Sequence, residues 1–390
     1  MSKHIVVVND YGFINGGAGK IAIYTAVGLS KQGEDVTFFC SVGPVCDELK
    51  RSKVKVVCLN QTDINNKKNK FEVLFDGVDN KVAKKSFKRL IDSFGEDEVI
   101  IHIHSWTKAI SSSPFRYLKK KKNVKSIVTL HDYFTICPNG GLYDYKHKCI
   151  CHVKNDFKCF FCNCDKRNYF QKLFRFYRYK RQQSDMKSIC NFIYISQLNK
   201  RVFLEKYKQK ANMFFIRNFV DLAPCKIENI EKNDIFLYIG RISEEKGIDE
   251  LCGVLTKKKK KGVIIGDGPM YEELKVKYPN LIFTGWLNKE QMIPYILKSK
   301  AFVFPSKWYE GAPLVIEEML SYGLPCIVRD CSSAVEYIDN YKNGIIYDNH
   351  NLLLEDALEV PFSAMNNIKL MSFNNFSDYI KSLEQCFDIL

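Results

Sequence analysis

A short apolar run that leads through a turn into a helical pattern recurs along this chain, and it constrains the fold more than any other feature. The first copy covers residues 4–9, His4-Ile5-Val6-Val7-Val8-Asn9. A glycine-rich loop follows, Asn15-Gly16-Gly17-Ala18-Gly19, then a helical pattern to about Lys31, with Gly33 as its stop and a second strand over 36–40. Further strands are predicted at 54–59, 71–75, 99–103, 126–130, 191–196 and 213–216. Polar, charged sequence from Leu222 to Asn233 reads as an interdomain linker. The alternation then starts again, with strands predicted at 235–239, 263–265, 281–284 and 301–304. Strands alternating with helices predict parallel sheets covered on both faces, an α/β class.

At 390 residues the chain is long enough for two domains with substantial cores. Lys and Arg total 59 against 44 Asp and Glu, a net charge of +15 that suggests anionic partners. The lysine runs at 119–122 and 257–261 read as solvated faces. No apolar run approaches the ~20 residues that span a bilayer. Met1-Ser2-Lys3-His4 runs straight into a strand, so no signal peptide is read and a cytoplasmic location is expected.

The loops at predicted strand ends carry the chemistry. Gly17-Ala18-Gly19-Lys20-Ile21-Ala22 loosely matches a dinucleotide fingerprint, yet Phe39-Cys40-Ser41 lacks the acidic ribose partner. Ile14 and Ile21 stand where a Walker loop needs Gly and Ser or Thr. Leu130-His131-Asp132-Tyr133 places a histidine at a ligand-facing edge. Strand 301–304 leads into a loop holding Glu310, then a helix with Pro313 in its first turn, Glu318 inside it, Gly323 at its end and Pro325 beyond. N–H groups at that helix start attract phosphate, and a carboxylate accepts bonds from sugar hydroxyls.

Taken together, these motifs resemble the GT-B glycosyltransferases of the bacterial group 1 class, glycosyltransferase family 4. The matching residues are Gly16-Gly17-Ala18, Leu130-His131-Asp132-Tyr133, Arg217-Asn218-Phe219-Val220-Asp221, Gly240-Arg241…Glu245-Lys246-Gly247, Gly266-Asp267-Gly268-Pro269 and Glu310-Gly311-Ala312-Pro313…Glu318. The resemblance implies two Rossmann-like domains with parallel sheets facing a cleft: an acceptor-binding domain over 1–218 and a nucleotide-sugar donor domain over 219–372. A C-terminal helix over 373–390 would pack back on the first domain. It further implies that Arg241 and Lys246 neutralise the donor diphosphate, Glu318 holds the ribose and Glu310 faces the sugar. Gly17 and the backbone of Gly311, Ala312, Pro313 and Leu314 would meet the donor, and His131 its sugar. The reaction implied is retaining and front-face, with no cofactor required for catalysis, a UDP- or GDP-type donor and a glycan or lipid-linked acceptor of surface polysaccharide synthesis. Met319 departs from the usual Ala, and the extra Glu317 competes for the role given to Glu318.

Two segments lie outside that pattern. Six of the fifteen cysteines fall between Cys137 and Cys164, in an insertion over 137–165 assigned to the first domain. In a cytoplasmic protein such a cluster points to structural zinc, with Cys149, Cys159 and Cys162 the leading ligands; reduced thiols are the alternative. Residues 166–181 interleave basic and aromatic side chains, a pattern suited to an anionic membrane face. Basic charge with cysteines also fits a nucleic-acid-binding protein, and the glycine loop an NAD-dependent oxidoreductase or epimerase. The first leaves the C-terminal carboxylates and glycine loops unexplained, so no nucleic-acid partner is expected, and the second lacks its ribose-binding acid.

Overall fold

A computed structural model describes residues 3–68, 70–153, 155–228, 230–348, 350–362, 365 and 373–390. The chain divides into two compact units: Met1–Gly141 with His152–Phe219 and Asn375–Leu390, and Leu142–Cys151 with Val220–Asn374.

The first unit opens with β1 (Lys3–Tyr11), α1 (Gly17–Lys31), β2 (Asp35–Val42), α2 (Asp47–Lys50) and β3 (Lys55–Cys58). It continues through α3 (Lys70–Val78), α4 (Lys81–Ser93), β4 (Glu98–Ile103) and β5 (Val124–Thr129). A hairpin of β6 (Tyr143–Asp144) and β7 (Cys149–Ile150) belongs to the second unit. The first unit resumes with α5 (Asp156–Phe161), α6 (Tyr169–Asp185), β8 (Asn191–Tyr194), α7 (Gln197–Lys206) and β9 (Asn212–Phe215). Its seven strands form one parallel sheet in the order β3-β2-β1-β4-β5-β8-β9.

The second unit contains β10 (Ile235–Ile239), α8 (Ile248–Lys257), β11 (Lys261–Ile265), α9 (Tyr271–Lys277), β12 (Ile282–Gly285) and α10 (Lys289–Leu297). β13 (Ser299–Phe304), α11 (Leu314–Ser321), β14 (Cys326–Arg329), β15 (Gly344–Tyr347) and α12 (Leu354–Ala357) complete it. The sheet is parallel, in the order β12-β11-β10-β13-β14-β15. Side chains alternate across it. Phe236, Tyr238, Ile264 and Val303 pack with Ile248, Leu251 and Leu255 of α8 on one face. Leu237, Val263, Ile265 and Phe302 pack with Ile316, Met319 and Leu320 of α11 on the other. Each such side chain contributes about 1.5–3 kcal/mol on full burial, so both faces of every central strand must be apolar.

The last helix, α13 (Phe376–Ile389), belongs to the first unit and rests on α1. Gly28 makes that contact, since a Cβ there would lie 2.4 Å from Ile380 Cδ1. The hydroxyls of Thr25 and Tyr379 share a buried hydrogen bond of 2.7 Å. Among the described residues no helix is long and apolar enough to cross a membrane.

Two readings of the sequence change. The strand predicted at 71–75 is helical, inside α3. A short apolar run has no period of its own, and this one packs through Gly77 against Phe174 of α6 while Leu74 and Phe75 stay exposed. β14 and β15 were not read at all, though both are buried in the sheet.

Candidate functional site

In the second unit the chain leaves β10 toward β11 on one side and leaves β13 toward β14 on the other. The strand order thus reverses between β10 and β13, and beyond the C-terminal ends of such strands open parallel sheets usually bind their ligands. Residues 240–247 follow β10 and residues 305–313 follow β13.

Backbone bonds stitch these loops together. The Lys307 N–H donates to Glu245 O at 2.8 Å, and the Ile242 N–H ties the first loop to Asp267 O, beyond β11, at 2.9 Å. Gly247 has φ +72, and a Cβ there would stand 2.2 Å from Pro305 O, so only glycine lets the two turns touch. Arg329, almost fully buried, donates from Nε to Pro305 O at 3.3 Å and pairs through Nη2 with Glu250 Oε1 at 2.5 Å. Lys307 Nζ reaches the other Glu250 oxygen at 2.8 Å. Burial alone would raise the Glu250 carboxyl, and the two cations beside it hold it below its ordinary value.

That frame delivers Lys246 to Glu310. Lys246 Nζ donates to Glu310 Oε1, an oxygen that also accepts from Ser306 Oγ at 2.8 Å and Trp308 Nε1 at 2.5 Å. The ammonium lies 5.3 Å from the Trp308 ring centroid, within cation–π range. Both side chains are largely buried. The family resemblance implies separate tasks for the cation and the carboxylate; in the structure they form an ion pair. Ser306 and Trp308, which orient Glu310, carried no motif beyond their place in the same loop.

Arg241 is exposed, and its guanidinium makes no ion pair among the described residues. Its carbonyl accepts from Tyr238 Oη at 2.9 Å, which fixes the backbone below it. Pro313 precedes α11 and its side chain caps nothing, so among the described residues no N-cap side chain accepts from the first-turn N–H groups. Of the two adjacent glutamates, Glu317 is 1% exposed, whereas Glu318 is half-buried on α11, in the electrostatic neighbourhood of Lys289. The hairpin also borders this loop, since Lys148 Nζ lies 3.7 Å from Glu244 Oε1.

Gly17 and His131 lie in the first unit. Gly17 opens α1 behind Gly16, and His131 follows β5. His131 Nε2 is 2.8 Å from His104 Nδ1, and His102 Nε2 is 2.7 Å from Thr129 Oγ1. Burial lowers His131 to about 4 and His102 to about 3, and puts His104 well below its ordinary value, so all three imidazoles are neutral at pH 7. Burial raises the neighbouring Asp132 to about 6.

The three leading cysteines of the insertion fall in different units. Cys149 is in the hairpin of the second unit, whereas Cys159 and Cys162 are in the first. Among the described residues no group of three or more His, Cys, Asp or Glu is arranged to hold a metal ion. The basic helix also turns out differently. Lys172 is 0% exposed, Arg175 pairs with Asp165 at 3.2 Å, and Arg178 donates to the carbonyls of Gly77 and Thr107. Of the aromatics in that segment Phe170 is 82% exposed and Tyr177 exposed, while Tyr179 is buried; on α5 just before it, Phe157 is 75% and Phe161 61% exposed.

Two parallel α/β sheets, each reversing strand order beside its first strand, give the chain the GT-B fold. Residues 224–358 match the family model for glycosyl transferases group 1. Over those residues the chain is similar to the group 1 glycosyltransferases. A UDP-Gal:alpha-D-GlcNAc-diphosphoundecaprenol alpha-1,3-galactosyltransferase of Escherichia coli is 40% identical over 94 residues, 22% of this chain and 23% of its own. An uncharacterized glycosyltransferase of Haemophilus influenzae is 24% identical over 352 residues, 86% and 84% of the two chains. In fold, a sucrose-phosphate synthase of Thermosynechococcus elongatus aligns over 100% of this chain and 99% of its own, with TM-score 0.71 and 16% identity. The chain spans between about a quarter and two fifths of the length of the first curated relatives it matches.

Proposed function

We propose that this protein transfers a sugar, with retention, from a UDP- or GDP-type donor to a glycan acceptor, a lipid-linked intermediate of a surface polysaccharide. The observation that carries this reading is the Lys246–Glu310 pair joining the loops after β10 and β13. An arriving diphosphate brings more negative charge than one carboxylate, so it draws the Lys246 ammonium, with exposed Arg241 as the second cation. Both then oppose the charge that grows on the leaving phosphate. Glu310, kept in place by Ser306 and Trp308, is freed to accept hydrogen bonds from the sugar. Glu318 serves the ribose, and the uncapped start of α11 at Leu314 serves phosphate, with Gly311, Ala312 and Pro313 shaping the turn. Gly17 and neutral His131 are assigned to the sugar end of the donor. The incoming hydroxyl attacks from the face the phosphate leaves, so no protein nucleophile is assigned.

The relative from Escherichia coli, by its name, takes a UDP-sugar and a diphosphoundecaprenol-linked acceptor, which supports both halves of the reading. Association with an anionic membrane is part of the proposal, but the exposed aromatics, not the basic residues of α6, form the contact. Phe157, Phe161 and Phe170, with exposed Lys158, Lys166 and Arg167, combine interfacial rings with positive charge.

Thermal-shift screening against UDP, GDP and NAD tests the donor class. Stabilisation by a nucleoside diphosphate and not by NAD is expected, and stabilisation by NAD alone would defeat the reading. Sedimentation with phosphatidylglycerol vesicles tests the membrane face. Replacing Phe157, Phe161 and Phe170 by Ser should abolish it; undiminished binding would remove this patch from the account.

A further inference from the structure

A fully buried lysine has to find partners, because an isolated ammonium in an apolar interior is very costly. Lys172 of α6 finds sulfur. Its Nζ donates to Cys159 Sγ at 3.2 Å and lies 5.8 Å from the Phe176 ring centroid. Burial pulls the ammonium down in pKa, while nearby Cys164, Cys159 and Cys137 push it up and prevail. These three cysteines all belong to the first unit.

They are not equivalent. Cys137 Sγ donates to Asn139 Oδ1 at 3.0 Å, and Asn139 Nδ2 donates to Cys164 Sγ at 3.7 Å, so one amide is engaged by both sulfurs. Cys137 and Cys164 are buried, whereas Cys159, near the end of α5, is partly exposed. Among the three, Cys159 is the sulfur a small oxidant reaches, and it is the one in contact with the amine.

We propose that Cys159 and Lys172 form a redox-sensitive pair that closes into a covalent S–N bond when a hydroperoxide reaches the Cys159 sulfur. The thiolate form of Cys159 is the nucleophile. The thiolate attacks the hydroperoxide: an S–O bond forms, the O–O bond breaks, and with hydrogen peroxide the departing hydroxide takes a proton from the Lys172 ammonium as water. This leaves a sulfenic acid beside a neutral amine. The amine then attacks sulfur, forming S–N and breaking S–O, and the second hydroxide leaves with the amine proton as water. One thiol, one amine and one peroxide yield one sulfenamide and two waters, a condensation known for sulfenic acids with nitrogen. The bond ties α5 to α6, the helices that carry the exposed Phe157, Phe161 and Phe170. A thiol reductant reverses it.

The test treats the full chain with stoichiometric hydrogen peroxide, alkylates the remaining thiols, digests with trypsin and reads the peptides by mass. The expected product joins the Cys159 peptide to the Lys172 peptide, lighter than their sum by two hydrogens, about 2 Da. Cleavage after Lys172 is lost and returns with dithiothreitol. Cys159→Ser abolishes the cross-link, while Cys137→Ser and Cys164→Ser retain it. Lys172→Arg keeps a buried cation without the amine and should leave Cys159 as a free acid of sulfur. Recovery of Cys159 in a disulfide, or as sulfinic acid with Lys172 still cleaved, in the unsubstituted chain would overturn the proposal.

Discussion

Replacing Glu310 by Gln separates the two roles assigned to this site. The carboxylate holds three donors on one oxygen, of which the Lys246 ammonium is the charged one. In contact, at an effective dielectric of about 20, opposite unit charges attract by roughly 4 kcal/mol, and desolvation offsets much of that. The amide keeps an acceptor for Ser306 and Trp308, so the stability loss should be about 1–3 kcal/mol. The functional effects should then diverge. Lys246, no longer neutralised by Glu310, meets the diphosphate without competition, so affinity for UDP or GDP is kept or rises. Turnover falls about a hundredfold or more, because the group facing the sugar has lost its charge. Lys246→Ala should lower turnover by a similar factor while weakening diphosphate binding. Calorimetric titration beside a sugar-transfer or donor-hydrolysis assay, on variants that remain folded, reads both. If Glu310→Gln weakened the nucleoside diphosphate as much as Lys246→Ala does and left turnover intact, the competition argued from this pair would be refuted.

Glu318→Ala should weaken nucleotide binding with a smaller effect on the chemical step, since ribose is held alike in ground and transition states; equal affinity in calorimetry would reassign the role. Gly247→Ala forces a side chain into φ +72 and against Pro305 O, so it should cost about 1–3 kcal/mol and lower the melting temperature and turnover together; an unchanged melting temperature would show that the two turns do not depend on this contact. His131 and His102 have folded pKa values of about 4 and about 3, and His104 lies well below its ordinary value. The native state therefore binds fewer protons than the unfolded chain, and stability should rise with pH from about 4 to the unfolded histidine value near 6.5. Asp132, raised to about 6, and Asp10, also raised by burial, act in the opposite direction above about 4, and two carboxylates should not cancel three imidazoles. Denaturant melts across that range should show the rise, and His104→Asn should flatten it.

The sequence by itself determined the two parallel sheets and the position of the chemistry at strand ends. A doubly covered parallel strand must be apolar at consecutive positions, and 4–9 and 301–304 have that signature. The turn from β13 into α11 was equally legible, because Pro313 and Gly323 are local signals. What depends on partners distant in the chain was not. The run at 71–75 is helical because it packs against α6, about a hundred residues later, and no local period announces that. The basic residues of α6 read as solvent-facing, yet Lys172 is buried among sulfurs and Arg178 meets backbone carbonyls, while Phe170 of the same helix remains outside. Lys246 and Glu310 stand 64 residues apart, and only the strand order, which sets β10 beside β13, makes them one ion pair. Local pattern encodes which face of an element is apolar; which neighbour covers that face, and which charges it traps, is settled only when the sheet is assembled.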